Sequence, residues 1–147
     1  MINQFEINLP MRFEARKGPL YESTLGILTG LFLYSLFSDK FSWTFSLLIL
    51  IPIALMAFNY FSTYYIIKNK LLIYRSGLIK GSIPIDEIRE VEPDKTLWAG
   101  LKPALASKGI LIHYNKFDEI YVAPINNAVF ISELSKLNPN IKIKSQS

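Results

Sequence analysis

"TYYIIKNKLLIYRSG", residues 63–77, is two short apolar runs separated by Lys68-Asn69-Lys70. Thr63 to Ile67 is β-branched and aromatic, a composition that suits a pleated strand better than a continued helix. Leu71 to Tyr74 resumes after the Asn-containing interruption, so the stretch predicts a β-hairpin. The residues before it make that placement decisive. From Phe41 to Ile67 the chain carries no formal charge, which is longer than one bilayer crossing requires. A spanning helix over about Phe41 to Tyr60 leaves a remainder. That remainder opens a water-facing body almost as soon as the apolar run ends.

Upstream, "GPLYESTLGILTGLFLYSLFS" (residues 18–38) is interrupted only by Glu22. As a helix it would span about 32 Å, matching a hydrocarbon core, with Glu22 near one end at headgroup depth. Tyr21 marks the first boundary, Tyr34, Phe37, Phe41 and Trp43 flank the short link, and Phe58, Tyr60 and Phe61 mark the second exit. Trp and Tyr favour such interfaces. The link SDKF makes the two helices antiparallel neighbours, and Pro52 is tolerable inside a membrane helix. Arg12, Arg16 and Lys17 precede the hairpin and Lys68, Lys70 and Arg75 follow it, against Lys40 alone in the link. The positive-inside rule therefore predicts an inner-membrane, multi-pass protein with both termini cytoplasmic. Gly26 and Gly30 form a GxxxG pattern that permits close helix packing, within the hairpin or between two copies.

The division expected is a cytoplasmic segment over 1–20, a transmembrane hairpin over 21–59, a folded body over 60–138 and a tail over 139–147. Composition agrees with an anchor joined to a polar body. Of 147 residues, 50% are hydrophobic and the mean hydropathy is +0.25, high for a soluble domain of this size. Residues 22–67 carry only Glu22, Asp39 and Lys40, and the net charge of +4 resides in residues 68–147. No cysteine is present, which excludes disulfides and thiolate sites. The N-terminus lacks the order of a secretory signal.

Beyond the first hairpin the runs stay short. Ser76-Gly77 marks a turn. Leu78-Ile79 with Ser82 to Ile85 suggests a third strand carrying Pro84 at an edge or bulge. Ile88 to Glu92 is another strand, and Pro93 to Gly109 reads as a long irregular connection. Ile110 to Tyr114 and Glu119 to Ala123 form a second hairpin around Asn115 to Asp118. In "NNAVFISELSKLNP", Phe130, Leu134 and Leu137 recur at helical spacing, an Asn caps the start and Pro139 closes it. The tail reads as short, polar and frayed. The class is α+β: a small antiparallel sheet or barrel with one end plugged by a helix.

The strands "LLIYRSG" (71–77) and "IPIDEI" (83–88), the connection "PAL" (103–105) and the strand "IHY" (112–114) resemble, in order and spacing, the bacterial PH-like domain family of the YyaB-like type, in which a two-helix anchor often leads. The resemblance covers about Tyr60 to Leu137. It implies a PH-like antiparallel split β-barrel of about seven strands capped by a C-terminal helix. The family's charged pair shortly after "PAL" is replaced here by Lys108-Gly109. The resemblance implies a binding module and no catalysis, and it carries no catalytic residues across, since fold does not fix function. A similar architecture in an immunity protein against the peptide antibiotic sublancin makes self-protection a candidate.

The residues themselves offer little chemistry. His113 is the sole histidine, and without cysteine or clustered carboxylates it makes a poor metal site; no cofactor or metal is expected. Asp86, Glu87, Glu90, Glu92 and Asp94, interleaved with Arg89 and Lys95, read as a solvated face. "GLIKGS" (77–82) lacks the GxxxxGK[ST] order of a phosphate loop. The basic set Lys68, Lys70, Arg75 and Lys80 in and beside the first hairpin is the candidate for anionic lipid headgroups, each cation contributing on the order of 1 kcal/mol at such a surface. Nucleic acid is not an expected partner. The bilayer, a membrane or membrane-associated protein, and a second copy of the chain are.

Overall fold

The computed structural model describes residues 9–40, 42–97 and 102–144. A short strand, β1 (Met11–Glu14), precedes two long helices, α1 (Pro19–Phe37) and α2 (Trp43–Ser62). Three strands follow directly, β2 (Tyr64–Lys68), β3 (Leu71–Ser76) and β4 (Ile79–Pro84). A single 3-10 turn at Ile85–Glu87 makes a corner into β5 (Ile88–Lys95). Then come β6 (Gly109–Tyr114), β7 (Asp118–Val122), α3 (Asn127–Leu137) and β8 (Lys142–Ile143).

Both helices are long and apolar enough to cross a membrane, and almost none of their residues is buried within the chain. They are held together by a few polar contacts. Ser35 and Ser46 share a hydroxyl bond at 3.1 Å, and the Tyr21 hydroxyl donates to the Met56 carbonyl at 2.9 Å. Tyr60 donates to Glu22 at 3.0 Å, so the one acid near the start of α1 is met at the end of α2. Pro52 lies inside α2, as anticipated.

The strands make two four-stranded sheets, ordered β1-β2-β3-β4 and β7-β6-β5-β8. All neighbours are antiparallel except β8, which lies parallel to β5. Turn chemistry fixes the registers. Asn69 and Lys70 both take positive φ, the requirement of a type I′ hairpin, and Gly77 takes φ +58 at the first position of the β3–β4 turn. Alternation puts Tyr65, Ile67, Leu72 and Tyr74 on the inner face. They join Ile110, Ile112, Ile120 and Val122 of the second sheet, and Phe130 and Leu134 of α3, in a single core. Phe130 is its hub, meeting Phe13 and Tyr65 edge-to-face at 5.1 and 5.9 Å.

Four expectations change. The sheets do not close into a barrel. They meet at the Ile85–Glu87 corner and, on the other side, through a bridge between Ala15 and Pro124. Second, the segment ahead of the helices supplies a strand, with Met11 to Glu14 paired against Ile67 to Tyr64. Third, the tail is not frayed through its length: Lys142 and Ile143 pair with Glu90 and Val91, and Ile141 is buried. The connection after β5 is shorter than read, since β5 runs on to Lys95 around a bulge at Asp94. The reading of Trp98 in that connection lies outside the described residues.

Candidate functional site: a helix-lined groove and two separated basic pairs

The segment carrying "PAL" is pinned from beneath by two buried phenols. Tyr65 on β2 donates to the Pro103 carbonyl at 2.6 Å and accepts from the Ala123 N–H at 3.0 Å. Tyr121 on β7 donates to the Ala106 carbonyl at 3.0 Å and accepts from the Gly109 N–H at 2.8 Å. Burial pushes both phenols above the usual tyrosine range, so they remain neutral donors. From above, Arg16 donates to the carbonyls of Ser107 and Lys108, and Gly18 N–H to that of Leu105. No periodicity announces such an arrangement. It depends on which strands become neighbours.

Beside this segment an open groove of about 890 Å³ runs along α3, floored by Pro93 and Asp94 of β5 and by Ile143 of β8. Its wall on α3 alternates apolar and polar, with Ala128 and Ile131 beside Asn127 and Ser135. The Asn127 amide group donates to Asp94 and to the Lys108 carbonyl. Its own oxygen, with the Ser135 hydroxyl, is buried and has no hydrogen-bond partner among the described residues. Buried polar atoms normally find partners, and an unmet pair lining one groove calls for an explanation. Pro93 and the Asp94 bulge blunt the β5 edge, so an occupant would be held by side chains rather than added as a strand.

The four basic residues proposed for headgroups do not form one cluster. Lys68 and Lys70 sit at the β2–β3 turn, where Lys70 lies 3.9 Å from Asp86. Arg75 and Lys80 stand opposite one another across β3 and β4, at the end of the hairpin next to α2. The length of β3, roughly 17 Å at a strand's rise, separates the pairs. The alternating face of the sheet had hidden this, because sequence distance within a hairpin says nothing about which pole a residue occupies.

Gly26 and Gly30 are not part of the contact between α1 and α2. A Cβ added at either would meet nothing within 4 Å. Their face is open, bordered by Leu25, Thr29 and Leu33.

His113 is less solitary than its sequence suggests, because the β5–β6 register sets it against Glu90 and beside Glu92. Its Nε2 lies 2.9 Å from Glu92, and the ligating atoms of Glu90, Glu92 and His113 fall within 4.8 Å of one another. Glu92 is therefore not on a solvated face; it is buried. Lys95 at 3.1 Å and Lys144 at 3.7 Å already neutralise it, and Lys144 also reaches Glu90. A cation could be held here only by displacing these ammonium groups. As it stands, the group ties the tail to β5.

A family model for the bacterial PH domain matches residues 63–138, which is β2 through the end of α3. The chain belongs to the bacterial PH domain family. It is also 29% identical over 106 residues to "Uncharacterized protein YyaB" of Bacillus subtilis (strain 168), covering 71% of this chain and 73% of that protein. No solved structure matches it significantly. PH-like domains are generally binding modules without catalysis, and no enzymatic family is indicated. Neither description names a ligand. The β1 and β8 strands lie outside the matched residues, although both pair with strands inside it.

Proposed function

We propose that this protein is a membrane-anchored binding module acting at the cytoplasmic face of the inner membrane. α1 and α2 cross the bilayer as a hairpin, and the PH domain engages a segment of another protein along α3. The observation that carries the binding reading is the groove with its two unmet polar atoms, Asn127 Oδ1 and Ser135 Oγ. An apolar groove with a few convergent polar groups is the usual form of a binding site, and both atoms belong to residues that line it.

The anchoring reading is supported by β1 and β2. They flank the helical hairpin in the chain yet pair with each other, so both ends of the hairpin emerge on one side. The excess of Lys and Arg at those ends selects the cytoplasm. Arg16 borders both the groove and the start of α1, so the bound partner would sit close to the membrane.

The test is a photo-reactive residue at Ser132, on the groove wall, in the full chain expressed in membranes. A discrete protein adduct weakened by Asn127→Ala, with none from the same residue at Lys116, is expected. Adducts to lipid alone would remove the groove as a protein site. Release of the chain from membranes by alkaline carbonate would remove the anchor.

A further inference from the structure

β3 and β4 are joined by two residues, Gly77 and Leu78, and this turn lies against α2. The Gly77 N–H donates to Ser62 Oγ at 3.1 Å, and Thr63 shares a hydroxyl bond with Ser76 at 2.9 Å. A Cβ built on Gly77 would fall 2.0 Å from Asn59 Oδ1. Asn59 stands three residues inside the end of α2, about 4.5 Å along its axis. The turn thus reaches down beside the last turn of α2 instead of beginning above it.

The residues at that level have the character of a membrane interface. Tyr21 and Tyr60 stack at 6.4 Å, and Lys17 Nζ lies 3.9 Å from the centre of the Tyr60 ring. Aromatic and basic side chains gather where apolar helices meet headgroups. On the turn itself, Leu78 is 82% exposed and Ile79 45%. Arg75 and Lys80 face each other directly across the strands, both exposed, with no ion pair to either among the described residues. Like charges placed opposite each other disfavour a sheet. An anionic surface reverses that cost.

We infer that the β3–β4 turn is a second membrane contact: Leu78 and Ile79 enter the boundary between headgroups and acyl chains, and Arg75 and Lys80 face the phosphates of anionic lipids. The inference rests on reading α1 and α2 as membrane-spanning. Lys68 and Lys70, at the other pole, take no part. Together with the helices, the contact fixes the tilt of the PH domain, and so the direction in which the α3 groove opens.

The chain has no cysteine, which allows single-cysteine labelling without background. An apolar, environment-sensitive fluorophore is placed by Leu78→Cys, by Ile27→Cys in the middle of α1, and by Phe117→Cys. Phe117 is as exposed as Leu78, but it lies in the β6–β7 turn. That turn is tied through Asn115 and Glu87 to the far corner of the domain. The full chain is reconstituted in phosphatidylcholine vesicles with and without phosphatidylglycerol, and quenched by spin-labelled lipid or by aqueous iodide. Positions 27 and 78 are expected to respond to the lipid quencher and position 117 to iodide. Arg75→Gln with Lys80→Gln should weaken the lipid response at 78 in anionic vesicles. A label at 78 that answers only to iodide while 27 answers to lipid overturns this inference and leaves the anchor standing. A label at 27 in water overturns both. Equal lipid quenching at 78 and 117, or no effect of the charge change, also overturns it.

Discussion

Tyr65 donates its hydroxyl to the Pro103 carbonyl at 2.6 Å while accepting from the Ala123 N–H at 3.0 Å, so one buried oxygen joins the first sheet to the second and to the segment that follows β5. Its ring meanwhile packs on Phe130, carrying α3 into the same contact. A phenol is suited to this position because it is apolar over most of its surface and polar only at the tip.

Tyr65→Phe keeps the ring and leaves the Ala123 N–H without its acceptor. The expected loss is about 1–3 kcal/mol, read as a lower thermal midpoint of the full chain in detergent. Tyr121→Phe should cost a similar amount. Because both hydroxyls pin the same segment, the double variant should lose less than the sum of the two. Strict additivity would show that the 102–109 segment is not held as a unit.

Glu92 gives the domain a pH dependence with a definite sign. Burial pushes its carboxyl upward, but hydrogen bonds from His113 and Lys95 and the charge of Lys144 outweigh this and hold it below the ordinary 4.5. A lowered folded value means the ionised form is favoured by folding. Its contribution is therefore complete above the ordinary carboxylate range and is lost as pH falls through the lowered value. The thermal midpoint of the native chain should drop more steeply on acidification than that of Glu92→Gln. Parallel profiles would count against the assignment.

Gly77 is constrained twice, by its positive φ and by Asn59. Gly77→Ala should destabilise the chain by the left-handed penalty of roughly 1–2 kcal/mol plus the steric conflict. Adding Asn59→Ala should recover the steric part alone. Full recovery in thermal unfolding would mean that the backbone conformation had cost nothing.

The groove should show a conflict between stability and binding. Ser135 holds a buried hydroxyl without a partner inside a helix. Ser135→Ala removes it and raises helix propensity, so the free protein should gain about 1 kcal/mol. The same change should reduce crosslinking from Ser132. A less stable variant would mean that the hydroxyl is satisfied after all.

Much of the architecture was legible because it is local. Uniform apolarity over a bilayer's length marks α1 and α2, alternation marks β2 and β3, and the spacing of Phe130, Leu134 and Leu137 marks α3; each is a periodicity that a short window contains. Two weaker signals of the same kind are present in the sequence. Met11, Phe13 and Ala15 alternate with Arg12, Glu14 and Arg16, and Ile141 and Ile143 alternate with Lys142 and Lys144. They are β1 and β8, segments too short to stand as strands without a neighbour.

The sequence by itself determined the helices, the hairpin turns and the inward faces of the strands, since these follow from side-chain size, charge and backbone freedom within a few residues. Only the tertiary structure decided which strands adjoin. That choice brought Glu90, Glu92 and His113 together, sent Lys68 and Lys70 to one pole and Arg75 and Lys80 to the other, and left Asn127 and Ser135 facing an open groove. Such relations rest on pairings between segments as far apart in the chain as Ala15 and Pro124, and the shared core around Phe130 selects among those pairings by packing.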